Sequence, residues 1–160
     1  ERLKGIRLDM AEYRRPSPET APCHAKAAGL YMICTLSKHA AESKGYADAL
    51  MLDWRGRVAE ATGANVFFVD NNVLHTPEPD CFLDGITRRT VIELARARGL
   101  EIVERAIMPD EMKNFSECFI TGTAAEVTPV SEIGPYKFTP GDISINLLND
   151  YLALVGGQSA

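Results

Sequence analysis

The spacing of apolar positions along the chain changes between the two-residue period of strands and the longer period of helices. The helical spacing predicts helices over residues 28–44, 86–98 and 142–155, and Gly45 and Gly99 follow the first two as stop residues. The alternating spacing predicts strands at 4–13, 49–52, 57–61, 65–70, 73–76, 101–107 and 117–121, with a short helical turn at 109–114. Asn71-Asn72 predicts a hairpin between two of these strands. Mixed elements with hairpins early in the chain predict an α+β fold rather than a doubly wound sheet.

Composition and charge exclude several classes of function. The chain has 160 residues, 46% of them hydrophobic, which is the length and composition of one globular domain. Its 17 basic and 22 acidic side chains give a net charge of −5 without a basic cluster, so no nucleic-acid partner is expected. The apolar runs are too short to span a membrane, and charged residues interrupt the N-terminal stretch that a signal peptide would need.

The cysteines and the first strand add two expectations. The four cysteines are scattered without a Cys-x-x-Cys pair or a histidine at ligand spacing, so we expect no metal site and a reducing cytoplasm. The first predicted strand opens without a preceding cap or loop, and we therefore expect the chain to be a fragment of a longer protein.

Three residues could carry chemistry in the first half of the chain. Lys26 lies among small residues, where desolvation would make its amine a nucleophile for a carbonyl, although most lysines are solvated surface groups. Glu60 lies on a short strand: an inward carboxylate would need a cation, whereas on an edge strand it would face solvent. Tyr31, in the first turn of the predicted helix, offers a phenol.

Two further stretches indicate an anion site. Gly85 to Arg89 open a helix with two arginines at its positive end, a conflict that a bound anion would remove. The alternative is that Arg89 pairs with Glu93 and Gly85 is only a loop residue. The stretch CFITGTAAEVTP, residues 118–129, follows a buried strand with side chains no larger than threonine. Lysine, carboxylate, phenol, helix N-terminus and small hydroxyl-bearing loop together suit a phosphorylated aromatic aldehyde.

These motifs, in this order, resemble the class IV aminotransferases, which are the fold-type IV pyridoxal-phosphate enzymes. The matching segments are Lys26-Ala-Ala-Gly-Leu-Tyr31, Glu60-Ala-Thr-Gly63-Ala-Asn65, Leu83-Asp-Gly85-Ile86-Thr87-Arg88 and Gly122-Thr123-Ala124-Ala125-Glu-Val-Thr-Pro129. The last segment resembles the branched-chain amino-acid subgroup. The resemblance implies the large domain of the D-amino-acid aminotransferase-like fold, with a mixed sheet or pseudo-barrel and flanking helices.

The resemblance also implies a role for each residue. Lys26 would hold the cofactor covalently and move the substrate proton, Glu60 would pair with the pyridine nitrogen, and Tyr31 would bind the ring hydroxyl. Ile86, Thr87 and Thr123 would bind the phosphate, and backbone N–H groups at Ala124 and Ala125 would bind the substrate carboxylate. The remaining cofactor-site positions implied are Gly63, Leu83, Gly85 and Gly122. The resemblance implies transfer of amino groups between leucine, isoleucine or valine and 2-oxoglutarate, in a homodimer.

Several features depart from the family pattern. Asp84 stands where the family usually has proline, which places a carboxylate near the predicted phosphate site. Ala61 and Ala64 replace the usual glycine and glutamate. We expect residues 1–160 to form one cofactor-binding large domain without the family's N-terminal small domain. Two alternatives therefore stay open: another fold-type IV enzyme, such as a D-amino-acid transaminase or aminodeoxychorismate lyase, and an incomplete, non-catalytic cofactor-binding domain.

Overall fold

Nine strands and three α-helices form within residues 2–22 and 28–156, the part of the chain that the computed structural model describes. The helices are α1 (Ala28–Ser43), α2 (Ile86–Ala97) and α3 (Asp142–Leu154), and two 3-10 turns cover Arg2–Lys4 and Pro109–Asn114. The strands are β1 (Ile6–Met10), β2 (Asp48–Leu52), β3 (Val58–Ala61), β4 (Asn65–Asp70), β5 (Val73–Thr76), β6 (Glu101–Glu104), β7 (Glu117–Gly122), β8 (Glu126–Ile133) and β9 (Tyr136–Lys137). Among these described residues, no helix has the length and hydropathy needed to cross a membrane.

The strands pair into one mixed sheet in the order β3-β2-β1-β8-β7-β4-β5-β6, with β9 added beside β8. β1 runs parallel to β2 and to β8, and β5 runs parallel to β6, whereas the other neighbours are antiparallel. β3, at one end of the order, also contacts β4, so the sheet curls into an open half-barrel. The predicted α+β class, with a mixed sheet and flanking helices, is confirmed.

The sheet separates two apolar cores, because successive side chains of a strand point to opposite faces. On β4, Phe68 packs in the core inside the curl with Phe115, at a ring separation of 4.9 Å. Its neighbour Phe67 stacks on Phe119 at 5.0 Å in the core beneath α2 and α3. Strands β4 and β7 therefore have both faces buried, which explains their continuous apolar runs.

The two predicted glycine stops act as the sequence indicates. Gly45 has φ +88° and Gly99 has φ +76°, a backbone region that glycine enters without steric cost. Before the first of these stops, α1 buries Leu30, Cys34 and Ala41 against the sheet.

The structure shortens two predicted strands and adds two that were not predicted, β8 and β9. β1 covers only Ile6–Met10, and β6 ends at Glu104 instead of residue 107. The segment after β6 leaves its ladder because the carbonyl of Ile107 accepts a hydrogen bond from the N–H of Val58 on β3. β8 is missing from the predictions because Pro129 normally indicates an edge or a break, yet β8 lies between β1 and β7.

Candidate active site

A cavity of about 500 Å³ lies where β3, β4 and β7 meet the N-terminus of α2 and one side of α1. Its volume is in the range of small-molecule and cofactor sites. The structure brings most of the predicted site residues to its wall: Tyr31, Glu60, Gly63, Leu83, Gly85, Ile86, Thr87, Gly122, Thr123 and Ala124. Residues from distant parts of the chain therefore share one cavity.

The structure describes only one of the two remaining predicted residues. Lys26 lies outside the described residues, so its position relative to the cavity stays a prediction. Ala125 does not line the cavity: its side chain packs against the core inside the curl, and its carbonyl accepts the hydroxyl of Thr128 at 2.6 Å. The backbone role predicted for Ala125 stays untested.

Glu60 is the buried carboxylate of the cavity. It lies in the middle of β3, where every residue from Val58 to Ala61 is buried, and only 9% of its surface is exposed. β3 is at the end of the strand order, but the hydrogen bond from Val58 to Ile107 covers its open side. The alternative of a solvated edge carboxylate is therefore wrong.

Burial raises the pKa of the Glu60 carboxyl to about 8. The positive charge of Arg15 opposes this shift, and the negative charge of Asp48 adds to it. Glu60 is consequently protonated at neutral pH in the cofactor-free cavity, and a cationic partner would stabilise its ionised form.

Arg15 and Asp48 are two charged residues whose fields act on the Glu60 carboxyl. Arg15 lines the same cavity, is 4% exposed, and donates from Nε and Nη2 to the carbonyl of Cys81 at 3.3 and 3.1 Å. Asp48 accepts the hydroxyl of Thr62 at 2.5 Å, and Thr62 also lines the cavity. One end of the cavity thus contains a small network of buried charged groups.

At the other end, α2 begins with Gly85 as its N-cap, and no side-chain cap is found there among the described residues. The first N–H groups of a helix have no intrahelical partner. Gly85, Ile86 and Thr87 line the cavity at this point, although Ile86 is 76% exposed at its mouth. This end of the cavity has the chemistry of an anion site.

The loop after β7 lines the same cavity, close to the connection between β3 and β4. Thr121 is fully buried and lines the cavity, and its hydroxyl has no hydrogen-bond partner among the described residues. A Cβ built on Gly122 would lie 2.9 Å from the carbonyl oxygen of Gly63, so only glycine fits at that position without a backbone shift. The close approach of the Gly63 carbonyl therefore explains why this loop carries a glycine at position 122.

Asp84, the departure from the family pattern, is neutralised by arginine. Arg88 is 2% exposed and donates to Asp84 at 2.9 Å and to the carbonyl of Pro77 at 3.3 Å, with Glu104 at 3.6 Å. Arg89 lies 3.9 Å from Asp84. Among the described residues, the carboxylate beside Arg89 is thus Asp84 and not the predicted Glu93. These ion pairs offset the arginine charge at the positive end of α2.

The prediction omitted Arg15, Thr62, Asn65 and Thr121 as individual site residues. Asn65 and Thr62 occur inside a quoted motif, so the motif itself could have indicated them. Arg15 lies in a proline-rich connector, and its isolated bridge to Asp53 and its contact with Cys81 help to bring it to the cavity. Those contacts are tertiary and leave no local sequence signal.

One acidic cluster lies outside this cavity. Ligand atoms of Asp53, Asp80 and Cys81 lie within 4.8 Å of one another. Arg55 forms ion pairs with both carboxylates, at 2.8 Å to Asp53 and 2.7 Å to Asp80. The guanidinium supplies the positive charge that these carboxylates need.

The residues present fit pyridoxal phosphate. Its pyridine nitrogen would meet the buried carboxyl of Glu60, and its phosphate would meet the uncapped N-terminus of α2 and the unpaired hydroxyl of Thr121. Tyr31, which is 52% exposed on the cavity wall, would reach the ring hydroxyl. One end of the cavity therefore offers the carboxyl that the pyridine nitrogen would need, and the other offers the N–H groups that the phosphate would need.

Comparison with known proteins gives consistent matches. The probable branched-chain-amino-acid aminotransferase of Rickettsia felis is 43% identical over 144 residues, which are 89% of this chain and 50% of that protein. The branched-chain aminotransferase of Thermoproteus uzoniensis, solved with norvaline, has a TM-score of 0.92 and 36% identity over 96% of this chain and 52% of that one. A T.th. branched-chain amino acid aminotransferase, complexed with N-(5'-phosphopyridoxyl)-L-glutamate, has a TM-score of 0.93 and 37% identity over 98% of this chain and 54% of that one.

The chain spans about half the length of the curated relatives it matches. The model of the amino-transferase class IV family matches residues 3–133, which include every motif on the cavity wall. From its fold, its cavity and this match, the chain belongs to the class IV aminotransferase family.

Proposed function

We propose that this chain is the cofactor-binding part of a pyridoxal-phosphate-dependent transaminase that moves amino groups between branched-chain amino acids and 2-oxoglutarate. The observation that carries the proposal is the single cavity lined at one end by the buried carboxyl of Glu60 and at the other by the uncapped N-terminus of α2. When bound, the cofactor supplies an aldehyde that exchanges for an amino group and a ring that withdraws electrons.

At the pyridine end, Glu60 would hold a proton against the ring nitrogen. Its burial in the middle of β3 fixes the position of the carboxyl, and Arg15 and Asp48 adjust the charge around it. The raised pKa of Glu60 means that the cavity, when free of cofactor, already contains the proton to be shared with the nitrogen.

At the phosphate end, the backbone N–H groups of Ile86 and Thr87 and the hydroxyls of Thr87 and Thr123 would bind the phosphate oxygens. The N-terminus of α2 adds the favourable field of the helix dipole. The hydroxyl of Thr121 is a further donor on the cavity wall, since it is buried and unpaired among the described residues.

Lys26 is the proposed covalent anchor of the cofactor, and its Nζ moves the proton taken from the substrate α-carbon. Lys26 lies outside the described residues, so its role rests on the motif that begins with it and ends at Tyr31. Tyr31, in the first turn of α1, lines the cavity and would orient the ring through its hydroxyl.

The choice of substrates rests on the relatives and on the shape of the loop after β7. One relative was solved with norvaline, an unbranched aliphatic amino acid, and another with an adduct that contains glutamate. Backbone N–H groups around Ala124 and Ala125 would bind the substrate carboxylate, because the side chains there leave the backbone accessible. These observations support an aliphatic amino acid and the pair glutamate and 2-oxoglutarate.

Borohydride labelling tests the cofactor assignment. The protein mixed with pyridoxal phosphate should absorb in the visible, and reduction followed by peptide mapping should place the label on Lys26. Lys38→Ala, which changes an exposed lysine of α1, should leave the label in place, whereas Lys26→Ala should abolish it. A label at another lysine, or none in the wild-type protein, contradicts the assignment.

Half-reactions with single amino acids separate the enzyme classes. Leucine and glutamate should convert the bound cofactor, and D-alanine should not. Conversion with D-alanine but not leucine would favour the D-amino-acid transaminase alternative, and formation of p-aminobenzoate from aminodeoxychorismate would favour the lyase. Labelled Lys26 without any conversion would favour the incomplete, non-catalytic domain.

The proposal includes residues 1–160 as one cofactor-binding domain that acts in a cytoplasmic homodimer. Cys34 and Cys118 are free thiols in the structure, which suits a reducing compartment. Exposed apolar side chains on α1, at Tyr31, Met32 and Leu36, support burial against another surface. Light scattering of the purified protein tests the dimer directly.

A further inference from the structure

The side chain of Asn65 connects the sheet to the start of α2. Asn65 is the first residue of β4, is 6% exposed, and pairs across the ladder with Thr121 of β7. Its Nδ2 donates to the carbonyl of Leu83 at 2.9 Å, and its Oδ1 accepts from the N–H of Gly85 at 3.3 Å. One amide group thus satisfies two backbone groups of the turn that leads into α2.

The contact is also sterically close. A Cβ built on Gly85 would lie 2.7 Å from Oδ1 of Asn65, well inside van der Waals contact. The backbone of Gly85, with φ −64°, is otherwise open to any residue. The requirement for glycine at this position therefore comes from the approach of Asn65 and not from the backbone conformation.

Asn65 is joined to the Glu60 end of the cavity as well. The N–H of Ala61, next to Glu60, donates to the carbonyl of Ala64 at 2.9 Å, so β3 and β4 are closed by a tight connection just before Asn65. Asn65 consequently lies between the strand that carries the carboxyl and the helix that offers its N–H groups.

We infer that Asn65 is a positioning residue, which holds the first turn of α2 in the place where its N–H groups would bind the phosphate of a phosphorylated pyridine ring. The inference rests on the proposed function, because it concerns the phosphate end of the same cavity. It differs from a general structural role in one respect: loss of the amide should weaken binding of ligands with a phosphate much more than binding of the same ring without it.

The test compares two probes that cannot react with a lysine, pyridoxamine 5'-phosphate and pyridoxamine. In Asn65→Ala, the dissociation constant for pyridoxamine 5'-phosphate should rise about tenfold or more, as expected for loss of one or two hydrogen bonds to buried groups. The constant for pyridoxamine should change less than about threefold, since the carboxyl of Glu60 stays in place. Asn114→Ala, the same change at an exposed asparagine outside the cavity, should leave both constants unchanged.

Gly85→Ala perturbs the contact between Asn65 and Gly85 from the side of the glycine. It is a second test of the inference if Asn65→Ala folds poorly. Gly85→Ala should weaken the binding of pyridoxamine 5'-phosphate, but not that of pyridoxamine, by a similar factor, because the new methyl group displaces the amide. In the Asn65→Ala background the methyl group meets no amide, so Gly85→Ala should cause little further loss. Losses that multiply in the double variant would overturn the inference.

The outcomes separate the two proposals. Wild-type affinity for pyridoxamine 5'-phosphate in folded Asn65→Ala refutes the role of Asn65 and leaves the proposed function standing. An equal loss of affinity for both probes in the folded variant also refutes the role of Asn65, because a positioning role at the phosphate end predicts a larger loss for the phosphorylated probe. A wild-type protein that binds neither probe refutes the proposed function, and the role of Asn65 with it.

Discussion

At the scale of single residues, the carboxyl of Glu60 links cavity chemistry to stability. Its pKa is about 8 in the folded protein against an ordinary value of 4.5. Between these two values the folded state keeps a proton that the unfolded chain has released. The contribution of this group to the free energy of unfolding is therefore fully present below pH 4.5 and is lost as the pH rises to about 8.

Glu60→Gln should remove this pH dependence, because the amide has nearly the same shape and no proton to release. Each pKa unit corresponds to about 1.4 kcal/mol, so the variant should gain on the order of 4 kcal/mol over the cofactor-free wild type at pH 8. At pH 4 the two proteins should unfold at similar denaturant concentrations. Urea unfolding at several pH values measures the difference.

The matched control is Glu93→Gln, which changes an exposed glutamate of α2 and should leave the pH profile of stability as it is. A wild type and a Glu60→Gln variant with parallel profiles from pH 4 to 8 would contradict the raised pKa.

At the scale of elements, a buried glutamate attaches α3 to the sheet. Oε1 of Glu117, on β7, accepts from the N–H groups of Gly141 and Ser144 at 3.1 and 2.9 Å and from the hydroxyl of Ser144 at 2.7 Å. Gly141 comes so close that a Cβ there would lie 2.8 Å from the carboxyl carbon. A strand side chain thus caps the N-terminus of α3, where the helix dipole favours a negative charge.

Glu117→Ala should lower the free energy of unfolding by about 2–3 kcal/mol, because three donors, two of them buried, lose their acceptor. Glu117→Gln, which keeps one carbonyl oxygen, should lose about half as much. Neither should change the affinity for pyridoxamine 5'-phosphate more than twofold, since Glu117 does not line the cavity. Urea unfolding and ligand titration together measure this, and a large loss of affinity would show that α3 acts on the site.

Local patterns could predict most elements but not the sheet. The hairpin of β4 and β5 and the helix α2 follow from periodicity and from turn residues within a few positions. β8 could not be predicted, since its Pro129 is tolerated only because of neighbours distant in the chain. The end of β6 is set likewise by a hydrogen bond between Ile107 and Val58.

The same distinction holds for the candidate site. Glu60, Thr87 and Thr123 could be predicted because they occur in motifs that resemble those of the family. The burial of Glu60 depends on a segment that covers β3, and Arg15 reaches the cavity through the carbonyl of Cys81. Contacts of this kind join parts of the chain that no local pattern relates.

At the scale of the whole molecule, the cavity joins several elements that otherwise pack separately. Its wall includes residues of α1, β3, β4 and β7 and the N-terminus of α2. A ligand that spans the cavity should therefore stabilise the entire described fold and not one local region.

Pyridoxamine 5'-phosphate at 100 times its dissociation constant should raise the free energy of unfolding by about 2.7 kcal/mol. Pyridoxamine at the same concentration should raise it less, because it lacks the phosphate. Thermal unfolding with each compound measures the effect, and a single transition that moves with ligand concentration is the expected result. Saturating binding without a shift of the transition would contradict a cavity built from the folded core.

The position of β1 has a consequence for how the protein is made. β1 lies between β2 and β8, and Ile6 pairs with Val130, more than a hundred residues later. A ribosome adds about 5–20 residues per second, so β1 waits several seconds for its second neighbour to emerge. During that time the nascent chain exposes an unpaired strand edge, and pairing over this distance is slow. Until β8 emerges, this edge of β1 is open to pairing with another chain.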